Sequence, residues 1–146
     1  MDDQRVIFAG ISLILPGGWF DVTDDLEEDA PFTLGKGANA LGALQFSVGH
    51  YASGELPNIN MDDLSSLFFD FIAENELGNA TKIEKTYEDT LSITGEFVTS
   101  DEFIRVWYTS DKKNIALITY VSTLPEDASL SKEVAEADQI VKSIVF

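Results

Sequence analysis

Residues 21–29, Asp-Val-Thr-Asp-Asp-Leu-Glu-Glu-Asp, hold six carboxylates in nine positions. Carboxylates at that density can ligate a hard cation such as calcium, which needs several oxygens around it. They can also face a cationic protein, or simply sit in water. Calcium chemistry needs a backbone that turns the oxygens inward. The run has neither the glycine nor the D-x-[DN]-x-[DN]-G spacing that does this in an EF-hand. We therefore expect no metal and no cofactor, and two readings stay open: a solvated acidic loop, or a contact surface for a protein partner. The second would use Asp21, Asp24, Asp25, Glu27, Glu28 and Asp29, extended by Glu55, Asp62 and Asp63.

Other reactive groups are few. His50 is the sole histidine and there is no cysteine, so the chain has no thiolate nucleophile and no evident Ser/His/Asp arrangement. Next to Tyr51 in an extended segment, His50 reads as structural. Gly35-Lys36-Gly37-Ala38-Asn39-Ala40 matches G-x-G-x-x-A in letters only. That motif works when a helix follows and its N-terminus takes the phosphate, whereas a strand pattern follows here. Two carboxylates could serve glycoside hydrolysis, but nothing singles out a pair among 26 acids. The expectation is a binding protein, not an enzyme.

Charge supports this. The 146 residues carry 26 acids against nine bases, a net charge of −17. Nucleic acid requires a positive footprint, so it is excluded as a partner. Between Val6 and Thr81, Lys36 is the only base against twelve acids; from Lys82 onward seven bases meet another twelve. The negative field is thus strongest in the first half. Apolar residues still make up 45% of the chain, with ten Phe, which is enough for a core and far from a disordered acidic tail. The acidic start Met1-Asp2-Asp3 does not resemble a signal peptide, and no apolar run is long enough to span a bilayer. We expect one domain over 1–146, cytoplasmic and away from membranes; composition is silent on oligomeric state.

The elements that must position these residues follow from periodicity. Arg5–Phe8 and Ile11–Leu15 are β-branched runs around Ala9-Gly10, a tight hairpin or a bulged strand. Trp19–Val22 and Pro31–Leu34 read as short strands, and Leu41–Tyr51 alternates at period two through Leu44, Phe46 and Val48. Leu64, Leu67, Phe68, Phe71 and Ile72 form a helical stripe, with Asn60 as N-cap, Asp62 and Asp63 in the first turn, and Gly78 as stop. Runs at Lys82–Tyr87, Leu91–Thr99, Phe103–Thr109 and Ile115–Ser122 have hairpin-length connections and read as an antiparallel meander closed by Pro125. A final helix places Leu130, Val134, Ala137, Val141 and Ile144 on one side, capped by Ser129 or Ser131. Trp19 and Trp107 should be core or core edge, whereas Tyr51, Phe69 and Tyr108 alternate outward. The class is α+β: an antiparallel β-sheet of about six strands flanked by two helices.

Three segments carry a resemblance. Ile11–Trp19, a strand followed by L-P-x-x-W, resembles the opening of the PsbP-like group of small domains. Trp107-Tyr108 with Ile115–Tyr120 resembles its late hairpin, and Ala135–Ile144 its closing helix. The order agrees over most of the chain, but these motifs encode packing and carry no catalytic residues. The resemblance implies a PsbP-like sandwich, in a group that includes lipoproteins, adaptor chaperones of secreted effectors and immunity-like proteins. With the charge, it leads us to expect a bacterial immunity protein that neutralises a basic toxin domain, such as a nuclease, through its acidic surface. The alternative is an adaptor chaperone for an apolar effector segment.

Overall fold

The computed structural model describes residues 3–25, 28–37, 41–51, 54, 58–124 and 129–146. Among these residues, nine strands and two α-helices follow in the order β1 (Gln4–Phe8), β2 (Ile11–Leu15), β3 (Trp19–Asp21), β4 (Phe32–Lys36), β5 (Gly42–Gly49), α1 (Met61–Glu74), β6 (Lys82–Tyr87), β7 (Leu91–Val98), β8 (Glu102–Ser110), β9 (Ile115–Thr123) and α2 (Ser129–Lys142). A seven-stranded antiparallel sheet runs β3-β4-β5-β9-β8-β7-β6, one strand more than expected. The class is α+β as read from the sequence.

β1 and β2 form a separate hairpin. Its two-residue turn needs positive φ at both positions, and Ala9 (54°) and Gly10 (80°) supply it. The hairpin lies against α2 and the chain end: Ser12 and Val145 exchange backbone hydrogen bonds of 2.9 and 2.8 Å, and Ser143 Oγ accepts from Ile14 N at 2.7 Å.

Side-chain alternation splits the sheet into two faces. On one, Phe103, Trp107, Ile118, Tyr120, Leu44 and Leu34 pack with Ala137, Ile140 and Val141 of α2 and with Ile11 and Leu13 of the hairpin. On the other, Ile93, Phe97, Val106 and Tyr108 pack under Met61, Leu64 and Phe68 of α1. Tyr108 therefore does not lie outside: it is 9% exposed, because β8 is covered on both faces and leaves no outward side. Phe69 is exposed and Tyr51 half-buried.

Asn60 caps α1 as expected, and Asp63 completes a reciprocal box: Asp63 N donates to Asn60 Oδ1 at 2.9 Å and Asn60 N to Asp63 Oδ2 at 3.0 Å. Gly78 is not the stop. The helix ends at Glu74, with Glu76 at φ 52° and Leu77 N bonding back to Ile72 O, so a glutamate holds the left-handed position that glycine usually takes. α2 likewise ends before Ile144, which is buried beyond the helix, and Pro125 lies outside the described residues. β5 ends at Gly49, so His50 follows the strand.

Candidate functional site

The strand register decides what the acidic residues can do together. β3 and β5 run in one direction and β4 in the other, and β8 and β6 run with β5. The β3–β4, β5–α1, β6–β7 and β8–β9 connections therefore all leave the same end of the sheet. In the first of these, Asp24 lies exposed within a 3-10 turn at Thr23–Asp25, and Glu28 and Asp29 lie exposed after it. Asp21 is not free at its end of β3: its Oδ1 accepts from Thr23 N at 3.0 Å and Thr23 Oγ1 at 2.7 Å, shaping the loop. Asp62 and Asp63 are exposed in the first turn of α1, which Ile59 N ties to Lys112 O of the β8–β9 turn at 2.9 Å.

Glu88 and Asp89, exposed in the β6–β7 turn, add to the same end. Asp111 in the β8–β9 turn is spent internally, accepting from the backbone N–H groups of Asn114 at 2.7 Å and Lys113 at 3.0 Å. Burial would raise its pKa, but these bonds outweigh it and hold the carboxyl below its ordinary value. Lys112 and Lys113 are the bases in these connections among the described residues. At about 4.8 Å between strands, the acidic loop and α1's first turn are about 15–20 Å apart across β4 to β8, the reach of one protein contact. Glu27 and Glu55 lie outside the described residues. Ala38–Ala40 do too, and among the described residues the next element after the glycine pair of residues 35–37 is the strand β5, from Gly42. His50 Nε2 stands 3.5 Å from Ala9 O at the hairpin turn.

The α2 face holds a second constellation that sequence reasoning missed. Arg105, 7% exposed on the inward row of β8, binds Glu96 Oε2 of β7 at 2.6 Å and Asp138 Oδ1 of α2 at 3.4 Å. Its guanidinium lies 5.1 Å from the Trp107 ring centre, Trp107 Nε1 donates to Asp138 Oδ1 at 3.1 Å, and Lys142 reaches Asp138 Oδ2 at 2.8 Å. Arg105 Nε is buried without an acceptor among the described residues. Two adjoining depressions of about 500 and 350 Å³ open beside this network, between α2 and the β6–β8 face.

Burial would raise the Asp138 carboxyl, but hydrogen bonds from Lys142 and Trp107 and the Arg105 charge outweigh it and keep it below its ordinary range. Glu136 behaves alike, its burial outweighed by Lys36 at 2.9 Å and Trp19 Nε1 at 3.1 Å. Glu133, 4% exposed, accepts from Tyr120 at 2.8 Å and from Gly42 N at 3.1 Å, and burial followed by this carboxylate raises the Tyr120 pKa. α2 thus docks through three carboxylates, each taking a hydrogen bond from an aromatic side chain of the sheet. A general acid needs a carboxyl lifted toward neutral pH, and the aspartate and glutamate shifts resolved among the described residues are all downward. A signal for this constellation stood in the sequence: Arg105 between Phe103 and Trp107 at period two, and Asp138 within the apolar stripe of α2.

A third surface is the part of the α1 face that α1 does not cover. Phe20, Gly35, Ala43 and Val121 stand in one cross-strand row over β3, β4, β5 and β9. Phe20 is 56% and Val121 36% exposed, with small residues between them.

Known structures align along nearly the whole chain. The solution structure of cyanobacterial PsbP (CyanoP) from Synechocystis sp. PCC 6803 superposes with a TM-score of 0.62 at 16% identity, covering 98% of this chain and 91% of that one. The Saccharomyces cerevisiae Ran-binding protein Mog1p gives 0.59 at 13% identity, covering 99% and 95%. A Bacteroides thetaiotaomicron structure gives 0.58 at 14% identity over 99% of this chain and 48% of that chain. No protein-family model and no curated protein matches the chain. The chain therefore shares the α+β fold of PsbP and Mog1p, and at these identities the likeness establishes the fold alone. No helix among the described residues is long and apolar enough to cross a membrane.

Proposed function

We propose that this chain is a protein-binding module whose acidic end seats a cationic surface of its partner. In its sharpest form, it is a cytoplasmic bacterial immunity protein that neutralises a basic toxin domain, such as a nuclease, and performs no catalysis itself. The observation that carries the reading is the register, which brings the β3–β4 loop and the first turn of α1 to one end of the sheet. Exposed carboxylates gathered there focus a negative field that speeds encounter with a basic cleft. A fold neighbour described as a Ran-binding protein supports protein binding as a use of this scaffold.

The test is to recover the partner by pull-down from the native cell and measure its association by stopped flow. Replacing Asp24→Asn, Glu28→Gln, Asp29→Asn and Asp62→Asn together should slow association about tenfold at low salt and flatten its salt dependence. Unchanged kinetics would refute the acidic interface. Asp63 is left intact because it caps α1.

The row Phe20–Gly35–Ala43–Val121 favours a second reading, an adaptor chaperone that cradles an apolar effector segment. The two separate on salt: acidic locking weakens as ionic strength rises, and apolar cradling does not.

A further inference from the structure

β6 is an edge strand: within the described residues it pairs only with β7, and its other side offers unpaired backbone groups. It is six residues long, Lys-Ile-Glu-Lys-Thr-Tyr, and all but Thr86 are exposed. Such edges usually carry charges that block further pairing, and Lys82, Glu84 and Lys85 are of that kind. Their signs and spacing nevertheless select one partner. Two bases and one acid leave this strand net positive by one on a chain of −17. It is therefore a surface where a second copy meets little repulsion.

We infer that β6 pairs antiparallel with β6 of a second copy, about a two-fold axis through Lys85. Antiparallel pairing about an axis perpendicular to the sheet places like faces side by side, so only registers that match residues of one face are allowed. Ile83, Lys85 and Tyr87 share the α1 face and Lys82, Glu84 and Thr86 the α2 face, and Glu88, the first residue after β6, lines one depression with Glu84 and Thr86. Centring on Lys85 opposes Ile83 to Tyr87 of the second copy and Lys82 to its Glu88, each twice by symmetry.

Ile83 is 43% and Tyr87 67% exposed, so this register covers two large apolar side chains that the single chain leaves in water. Lys82 and Glu88 form opposite-charge cross-strand pairs, and the only like-charge opposition is Lys85 on the axis. Centring on Glu84 instead opposes two carboxylates and puts Ile83 against Lys85. Centring on Thr86 opposes Glu84 to Glu88 twice. Both alternatives lose the Ile83–Tyr87 pairs. The chosen register joins two sheets into one of fourteen strands and merges the two α2-face depressions across the seam.

An edge contact of this length buries little area and belongs with weak associations. Sedimentation equilibrium of the full chain, from about 10 µM to about 1 mM at about 0.3 M NaCl, should show monomer passing to dimer by mass action. Lys82→Glu and Glu88→Lys should each raise the dissociation constant about tenfold, and Lys82→Glu combined with Glu88→Lys should restore it. Lys85→Thr, which removes the like-charge contact on the axis, should tighten the dimer several-fold. A chain that stays monomeric throughout that range overturns the proposal. So does a dimer that the single charge reversals leave unchanged, or that Lys85→Thr weakens.

Discussion

At the scale of single residues, the informative groups are charges taken out of water. Arg105 is held by Glu96 and Asp138. Removing one partner of such a buried group costs more than its net contribution, because the other is left uncompensated. Asp138→Asn keeps the shape but removes the charge, so it should destabilise the fold by about 2–4 kcal/mol near neutral pH. The sign of the pH dependence follows from the lowered Asp138 pKa. A depressed carboxylate contributes its full stability above its unfolded value of about 4, and loses it as pH falls through the lower folded value. Urea unfolding of both proteins near pH 6 and near pH 3 should therefore show the gap shrinking in acid. A gap that stays constant would mean that the Asp138 charge does not hold Arg105.

At the scale of elements, the joints are closer than side-chain periodicity reveals. α1 meets the sheet through Phe68, fully buried over Gly95 of β7, where a Cβ would come 2.7 Å from Phe68 Cζ. β5 meets β9 at Gly42, where a Cβ would press into the Val121 carbonyl and lie 2.6 Å from Ser122 Cβ. Neither glycine has positive φ, so each is set by space and not by backbone freedom. Gly95→Ala should cost about 1–3 kcal/mol by overpacking. Combined with Phe68→Leu it should cost less than the sum of the two single changes, since the shorter side chain yields the room. Thermal or denaturant unfolding of the four proteins measures this, and strict additivity would mean that the two residues do not press on one another.

At the scale of the whole molecule, the charge of −17 acts on stability as well as on partners. Lys36, Arg105 and Lys142 are bound into ion pairs with α2 carboxylates, so they do little to offset the exposed acids at the far loops. Self-repulsion among those acids is long-ranged and screened by salt. Raising NaCl from about 0.02 to about 0.3 M should lift the melting temperature by a few degrees. A flat response would show that the acids are balanced locally, and would take the focused field of the acidic end with it.

The amino-acid order by itself determined the elements. Period two across β5 to β9, the stripe of α1 with its Asn60 cap, and the turn at Ala9-Gly10 are local patterns, and local sterics and burial are enough to select them. It also determined that the acids crowd between residues 21 and 29, and that thiol chemistry is absent. Tertiary structure decided the rest because the deciding contacts join distant positions. Tyr108 is buried since helices cover β8 on both sides, which no single-strand pattern encodes. Arg105 meets Asp138 across 33 residues and Trp19 meets Glu136 across 117. Asp24 and Asp62 share one end of the sheet only because β5 pairs with β9 and carries the first half of the chain against the second.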